Sequence, residues 1–114
     1  DAQAVGRRLG AGRKALLDAI DFVAGHTKAS PNAVFAGSVP YLMLSGIVVA
    51  GWQMGRALLK AQECLAAGDD TEFMRAKIVT ARFYGDHILS KVPGLRHSIV
   101  EGAVGVTSMP AEAF

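Results

Sequence analysis

Few ionisable side chains in this sequence have the spacing that chemistry requires. His97 and Glu101 stand four residues apart, and Asp18 and Asp21 are three apart, so each pair can share one face of a helix. A metal site or a catalytic acid–base pair needs more groups at fixed offsets, as in a His-Glu-x-x-His motif. The remaining histidines, His26 and His87, are isolated. We therefore predict no catalytic residue, no cofactor-binding residue and no metal ligand in this chain.

The composition bounds the class of protein and its compartment. A single cysteine, Cys64, excludes an internal disulfide and fits a reducing compartment, which predicts a cytoplasmic location and an unreactive thiol. The net charge is only +2, and no aromatic residues alternate with basic ones, which argues against a nucleic-acid partner. Hydrophobic residues reach 51% while charged residues are 19%, so we expect some apolar surface to meet a partner and the chain to form a homo-oligomer.

The chain is organised around a run without charged residues, from Ala29 to Gly55. Pro40 suits the first turn of a helix, and no further proline follows until Pro93. The face of this segment opposite its apolar stripe has few polar residues in the first half, whereas after Arg56 it carries charged residues. We expect a central helix whose first half is surrounded by protein and which ends at Gly68. Its buried stripe recurs at three- and four-residue steps: Leu44, Ile47, Val48, Gly51, Met54, Leu58, Ala61 and Leu65.

The same run raises the alternative of a membrane span, because more than twenty uncharged residues meet the required length of about twenty. Polar residues, two prolines and several glycines interrupt it, and its continuously apolar part, Val39 to Trp52, is short. A buried helix without a membrane span is the prediction that we prefer. Gly51 and Gly55 have the spacing of a helix-pairing motif in lipid, whereas in a soluble bundle they let another helix approach closely.

A first helix and a long connector are predicted before the central helix. Asp1 to Ala24 forms the helix, and Gly25 to Ser38, which is rich in turn-forming residues, forms the connector. One stripe packs on the central helix: Val5, Leu9, Gly12, Leu16, Ile20 and Val23. A basic group on the same helix indicates a solvated face, with acidic groups or phosphates as alternative partners: Arg7, Arg8, Arg13 and Lys14.

A third helix is predicted to begin at Asp69, with Glu72 three residues later completing a capping box, and to run from Phe73 to about Val92. Arg82 and Asp86 can pair on its outer side. Two neighbouring apolar stripes predict a wide buried face: Met74, Ile78, Ala81, Gly85, Ile88 and Val92, with Phe73, Ala76, Thr80, Phe83 and Tyr84 beside them.

Pro93 leaves two architectures open, because a proline either ends a helix or kinks it. The predicted fold class is all-α: residues 1–114 form a single helical domain, an up-and-down helical bundle of three long helices, one of them kinked, or of four helices. The tail ends at Phe114, an aromatic residue that we expect to dock on a protein surface.

Several motifs from about residue 30 onwards agree in order and spacing with a known family. They are Pro40-Tyr41-Leu42 with Gly46; Gly51-Trp52 with Met54 and Arg56-Ala57; Phe73-x-Arg75-Ala76-Lys77; Thr80-Ala81-Arg82-Phe83-Tyr84-x-Asp86-His87-x-Leu89; and Met109-Pro110-x-Glu112-x-Phe114. Together they resemble the C-terminal helical domain at the end of one subgroup of acyl-CoA dehydrogenases, the methylthiopropionyl-CoA dehydrogenase-like subgroup. The first helix agrees with it only in general character.

The resemblance implies that the chain is a C-terminal fragment of a larger flavoenzyme that uses FAD to oxidise an acyl-CoA to a 2,3-enoyl-CoA. In that family the glutamate base and the flavin and CoA contacts belong to upstream domains, so the partner of this segment is the dehydrogenase core of the parent chain and its role is structural. The candidate packing or interface residues are Trp52, Arg56, Arg75, Arg82, Tyr84 and Phe114. The alternative is a free-standing helical interaction module that dimerises through Gly51 and Gly55.

Overall fold

A computed structural model describes all 114 residues, and its regular structure is helical with no strand. The predicted all-α class is confirmed. Four helices form the body: α1 (Ala2–His26), α3 (Ser38–Ala66), α4 (Thr71–His87) and α5 (Val92–Glu101). Two short helices, α2 (Pro31–Ala36) and α6 (Ala103–Thr107), and two 3-10 turns, Leu89–Lys91 and Ala111–Ala113, complete the chain.

The four body helices form three columns that run up, down and up. Val5, near the start of α1, packs on Leu58 in the second half of α3, so these two helices are antiparallel. Val5 also lies against Gly85 of α4. Further along α1, Asp18 pairs with Arg96 of α5, so α4 and α5 form one column that runs parallel to α1.

The apolar stripe predicted on α3 is the centre of the core. Leu44, Val48 and Leu58 are buried, and Gly51 and Ala61 are buried with them. The main cluster joins Leu44 and Val48 to residues of the other columns: Ala15, Ala19, Leu89, Val92 and Ile99. Burial of a leucine or valine side chain contributes about 1.5 to 3 kcal/mol, so this stripe supplies much of the stabilisation of the bundle.

Gly51 marks the point where α3 and the third column approach each other most tightly. A Cβ atom built at Gly51 would lie 2.8 Å from a methyl carbon of Leu89, and the buried Leu89 side chain fills the space that a larger residue would need. The close-approach interpretation of Gly51 is therefore confirmed, but its partner is Leu89 of the same chain. A dimer that uses the face of Gly51 is excluded, because that face is already buried.

The end of α3 confirms the predicted stop at Gly68, whereas the predicted cap of the next helix is wrong. Gly68 has a φ of +78°, and the N–H groups of Gly68 and Asp69 donate to the carbonyls of Leu65 and Cys64, as in a Schellman motif. Asp69 therefore completes α3 and does not cap α4. Asp70, with a φ of 41°, precedes α4, and its side chain makes no capping hydrogen bond.

Pro93 neither ends nor kinks a long helix, because it lies in the first turn of α5. The α4 helix ends at His87, and a 3-10 turn at Leu89–Lys91 joins the two. Proline has no N–H to donate to the carbonyl four residues earlier, here that of Leu89, and its ring crowds that carbonyl. The break between α4 and α5 therefore precedes the proline in the sequence. Of the two predicted architectures, the one with a separate fourth helix is correct.

The connector between α1 and α3 differs from its prediction as a loop. Residues Pro31–Ala36 form α2, which begins with a proline in its first turn, where proline costs no hydrogen bond. Gly37 follows α2 and is buried, since a Cβ built there would lie 3.2 Å from the Cα of Ile99. The short α6 packs on α2, so these two helices form one end of the molecule.

Two predicted burials do not occur within this chain. The first half of α3 is not surrounded by protein, since Val39, Leu42, Met43 and Val49 are more than half exposed. The second stripe of α4 is also largely outside, and Tyr84 is its only half-buried member; the exposed members are Phe73, Ala76, Thr80 and Phe83. Three columns offer each helix one inward face, and a second apolar face has no neighbour in this chain.

The molecule is long and narrow. Its Cα atoms extend over 66 × 27 × 16 Å, and the radius of gyration is 18.3 Å, compared with about 13 Å for a compact domain of this length. Only 15 of the 114 residues are buried. The interior is therefore small relative to the apolar content of the chain.

Two alanine substitutions on α3 test the tight contact at Gly51. Gly51→Ala forces the buried Leu89 to move, and overpacking of this kind costs about 1 to 3 kcal/mol. Gly46→Ala is the matched control, because a Cβ there meets nothing within 4 Å and alanine gains up to about 1 kcal/mol of helix propensity. In urea unfolding we expect Gly46→Ala to raise the free energy of unfolding and Gly51→Ala to lower it. Equal effects would contradict the packing.

Candidate functional site

The chemistry-bearing residues of the sequence do not converge in the structure. His97 Nδ1 lies 2.8 Å from Glu101 Oε2 on the exposed surface of α5. The aspartates of α1 are separated in role, because Asp18 pairs with Arg96 while Asp21 makes no ion pair. No group of three or more His, Cys, Asp or Glu side chains is placed to hold a metal ion.

A charged cluster joins the start of α1 to the end of α4. Arg82 Nε donates to Asp86 Oδ2 at 2.7 Å, as the spacing predicts, and a second guanidinium nitrogen lies 3.3 Å from Asp1 Oδ1. Arg8 Nε is 4.0 Å from the other Asp86 oxygen. The hydrogen bond from Arg82 is the main reason that the pKa of Asp86 is below its ordinary value, and Arg8 adds to it. Arg82 therefore links two helices, a role that the local spacing did not indicate.

Tyr84 links α4 to the central helix. Its hydroxyl donates to the carbonyl oxygen of Ile47 at 2.8 Å, and burial raises the pKa of this half-buried phenol. A carbonyl inside a helix is no visible acceptor in a sequence, so the partner of Tyr84 was not predictable. This hydrogen bond fixes the register of α3 against the column of α4 and α5, one turn of α3 before the contact at Gly51.

Trp52 and Arg56 lie on the opposite side of α3, beside a groove. The guanidinium of Arg56 stands 5.5 Å from the centre of the Trp52 ring, and the ring itself is half exposed. We call this open surface the α1–α3 groove, and it is lined by Gly6, Leu9 and Gly10 of α1 and by Trp52, Gly55 and Leu59 of α3. Its walls are almost entirely apolar, because the arginines lie only at its margins.

Exposed apolar side chains gather at the end of the molecule that α2 and α6 form. We call this surface the apolar end; its members are Phe35, Val39, Met43, Val104, Val106, Met109 and Phe114. Apart from Phe114, these members lie in two segments, residues 29–55 and 102–111, that contain no charged residue. Phe114 is 96% exposed, so the C-terminal aromatic does not dock on this chain. Arg75 is exposed on α4 and makes no ion pair.

The total exposed area indicates how much surface lacks a neighbour. The chain exposes 7377 Å², whereas a monomer of 11.9 kDa typically exposes about 6,000 Å². The excess of about 1,400 Å² exceeds the roughly 800 Å² that each partner buries in a stable interface. The surface is therefore large enough for one stable interface with other protein.

One helix, α3, is long and apolar enough to cross a membrane, with a mean hydropathy of 1.4 over its most apolar 18 residues. Of those residues, 22% are buried in the bundle. A single helix of this kind is weak evidence for a span, because core helices of soluble proteins meet the same criterion. The pairing of α3 with α1, α4 and α5 gives it three neighbours in this chain.

The fold and its surfaces define a class: a long helical bundle with a narrow core and exposed apolar surfaces. The family description "Acetyl-CoA dehydrogenase C-terminal like" matches residues 1–110, and the chain belongs to this family. The match includes α1, although the sequence motifs that resemble the family lie only after it. The match ends before Phe114. The recognition of the sequence as a C-terminal domain of the acyl-CoA dehydrogenase family is confirmed.

A curated relative supports the same assignment. The chain is 41% identical over 88 residues to a 3-methylmercaptopropionyl-CoA dehydrogenase from Ruegeria pomeroyi. The aligned part covers 77% of this chain and 15% of that protein, within its C-terminal part. The chain therefore spans a small fraction of the length of this relative. No solved structure matches the chain.

The charged cluster predicts how acid affects stability. Because the pKa of Asp86 is lowered in the folded state, the unfolded chain binds a proton more readily below about pH 4. The stabilisation from Asp86 is present above that pH and is lost as the pH falls towards the folded pKa. We expect Asp86→Asn to make the free energy of unfolding less dependent on pH between 4 and 2. Asp21→Asn, which removes an exposed carboxylate without an ion pair, is the control, and equal pH profiles for both variants would refute the assignment.

Proposed function

We propose that this chain is the C-terminal accessory domain of a FAD-dependent acyl-CoA dehydrogenase. The parent enzyme oxidises an acyl-CoA thioester to its 2,3-enoyl form and is cytoplasmic, without a membrane span. Family membership and the name of the Ruegeria relative support this function. The flavin and the base that removes the α proton are assigned to other domains of the parent, and no residue of this chain is given a part in the chemistry.

The observation that carries the role of this domain is the apolar end. The two segments that form it have no charge, and their large side chains have no neighbours in this chain. Apolar patches of this kind mark protein interfaces. We infer that the apolar end packs on the dehydrogenase core of the parent chain, which removes its side chains from water, and that Phe114 docks there.

The remaining candidate residues divide between the bundle and its surfaces. Arg82 and Tyr84 hold the columns together through Asp86 and the Ile47 carbonyl. Arg75, exposed and free of ion pairs on α4, is assigned to a contact with the parent. Trp52 and Arg56 belong to a separate surface, because they lie beside the α1–α3 groove.

The first test is the intact mass and visible absorption spectrum of the natural polypeptide that carries this chain, isolated from its source cells. We expect a polypeptide several times larger than 11.9 kDa, with flavin absorbance that an acyl-CoA bleaches. A colourless protein of about the present size would overturn the proposal. That outcome would favour the free-standing interaction module.

A matched pair of substitutions in the full polypeptide tests the apolar end. Val106→Asp places a charge in that surface, whereas Val79→Asp places the same charge at a similarly exposed position of α4, away from it. We expect Val106→Asp to increase the rate of proteolytic release of this domain severalfold, with flavin content unchanged. Equal release rates for the two variants would show that another surface contacts the core.

A further inference from the structure

The central helix carries a second apolar stripe on its outer side. Leu42, Val49, Trp52 and Leu59 are each between 52% and 74% exposed. They stand at steps of seven, three and seven residues, which is the spacing of a seam between packed helices. We call these four positions the outer seam, with Ser45 and Arg56 between them.

The outer seam is distinct from the stripe that faces the core. Leu44, Val48 and Leu58 point inward, where they are buried with the other columns. At 100° per residue, the centre of the outer seam lies about 110° around the helix from the centre of that buried stripe. A helix with two apolar seams on well-separated sides is suited to pack between neighbours on both. Only the inner neighbours are present in this chain.

The surface of α1 beside the outer seam has small residues that allow another helix to approach closely. Gly6 and Gly10 border the α1–α3 groove beside Trp52 and Leu59. A Cβ built at either glycine would meet nothing within 4 Å. The groove therefore leaves room for the backbone of another helix alongside α3. The outer seam spans 18 residues, so Leu42 and Leu59 are about 25 Å apart along the helix.

The order of residues along the outer seam is self-complementary. If two copies of α3 run antiparallel about a two-fold axis between Ala50 and Gly51, Leu42 of one copy lies opposite Leu59 of the other. Val49 then lies opposite Trp52. A two-fold interface requires this kind of reciprocal match, because the same patch serves both subunits.

We propose that the outer seams of two copies of this chain pack antiparallel to form a homodimer interface. Each apolar seam residue meets an apolar residue of the second copy, and the two α1 grooves flank the contact. This interface lies away from the core stripe, so it does not compete with the Gly51–Leu89 contact.

The polar members of the outer seam fit the same pairing. Ser45 of one copy lies opposite Arg56 of the other. The Ser45 hydroxyl donates to the carbonyl of Tyr41 at 2.9 Å, so its oxygen retains lone pairs that can accept from a guanidinium. Arg56 makes no ion pair within the chain and already stacks on Trp52. The seam therefore brings no two charges directly opposite each other.

The uncovered area is sufficient for such a dimer. The excess exposure of about 1,400 Å² exceeds the roughly 800 Å² per partner of a stable interface. The outer seam adjoins the apolar end at Leu42, one turn from Val39, whereas the members of the apolar end on α2 and α6 lie outside the seam. The dimer goes beyond the proposed function, and it requires neither the flavin nor an acyl-CoA.

Cysteine cross-linking in the full natural polypeptide tests the pairing and its direction. In a Cys64→Ser background, the double variant Leu42→Cys with Leu59→Cys places thiols opposite each other across the two-fold axis. The single variants are controls, because identical positions in the two copies lie about 25 Å apart, far beyond disulfide reach. A second control, Val79→Cys with Leu59→Cys, moves one thiol to an exposed site on α4.

Under mild oxidation we expect the double variant to become a covalent dimer on a non-reducing gel, at least tenfold faster than either single variant or the Val79 control. Dimers from Leu42→Cys alone would overturn the antiparallel pairing in favour of a parallel one. Equally slow cross-linking in all variants would show that the outer seams do not meet, and that other protein covers them. Flavin absorbance, measured on the same samples, reports separately on the proposed dehydrogenase function.

Discussion

The narrow interior between three helical columns is the constraint on which this molecule depends. At its centre, Gly51 and Leu89 fit together so closely that no side chain larger than a hydrogen atom is accommodated on α3. Because the columns are close together, one side chain from each is enough to fill the space between them, as Leu44 of α3 and Val92 of α5 do. It also leaves little volume inside, so a chain that is half hydrophobic must carry much of its apolar surface outward.

The outward surface is ordered by charge. The end formed by α2 and α6 is apolar and uncharged, whereas the opposite end carries Lys60 and Glu63 in the last turns of α3 and Asp69 and Asp70 in the turn to α4. Three ion pairs join different columns, among them Arg96 with Asp18, and they are partly exposed, so each contributes little to stability. They set the register of the columns, while the uncharged surfaces remain available for contacts between proteins.

The sequence predicted the parts of this fold that depend on periodicity and on glycine. The α3 stripe and the stop at Gly68 follow from spacing and backbone conformation, and the family follows from motifs between Pro40 and the C-terminus. Elements set by distant contacts were missed. The α2 helix has six residues, too few to show a period, and α6 packs on it from the other end of the chain.

The surfaces were predicted less well than the core, for a physical reason. Phe73 and Phe83 extend the apolar pattern of α4, but a pattern does not tell whether the neighbour is in the same chain. The outer seam of α3 was not identified from the sequence, because the first half of this helix was expected to be surrounded by protein. Tyr84 was identified as a packing residue, whereas its hydrogen bond to Ile47 required the structure.

The core is divided into two clusters, and this division bears on how the chain opens. Seven buried residues fill the middle, while Val5, Leu58 and Ala81 form a separate group nearer the turn between α3 and α4. Such a division separates cooperative units, whose backbone amides exchange hydrogen at different free energies. The first turns of α4 and the last turns of α3 rest on the smaller cluster. Their amides exchange through a local opening in which this end frays while the middle of the bundle stays folded.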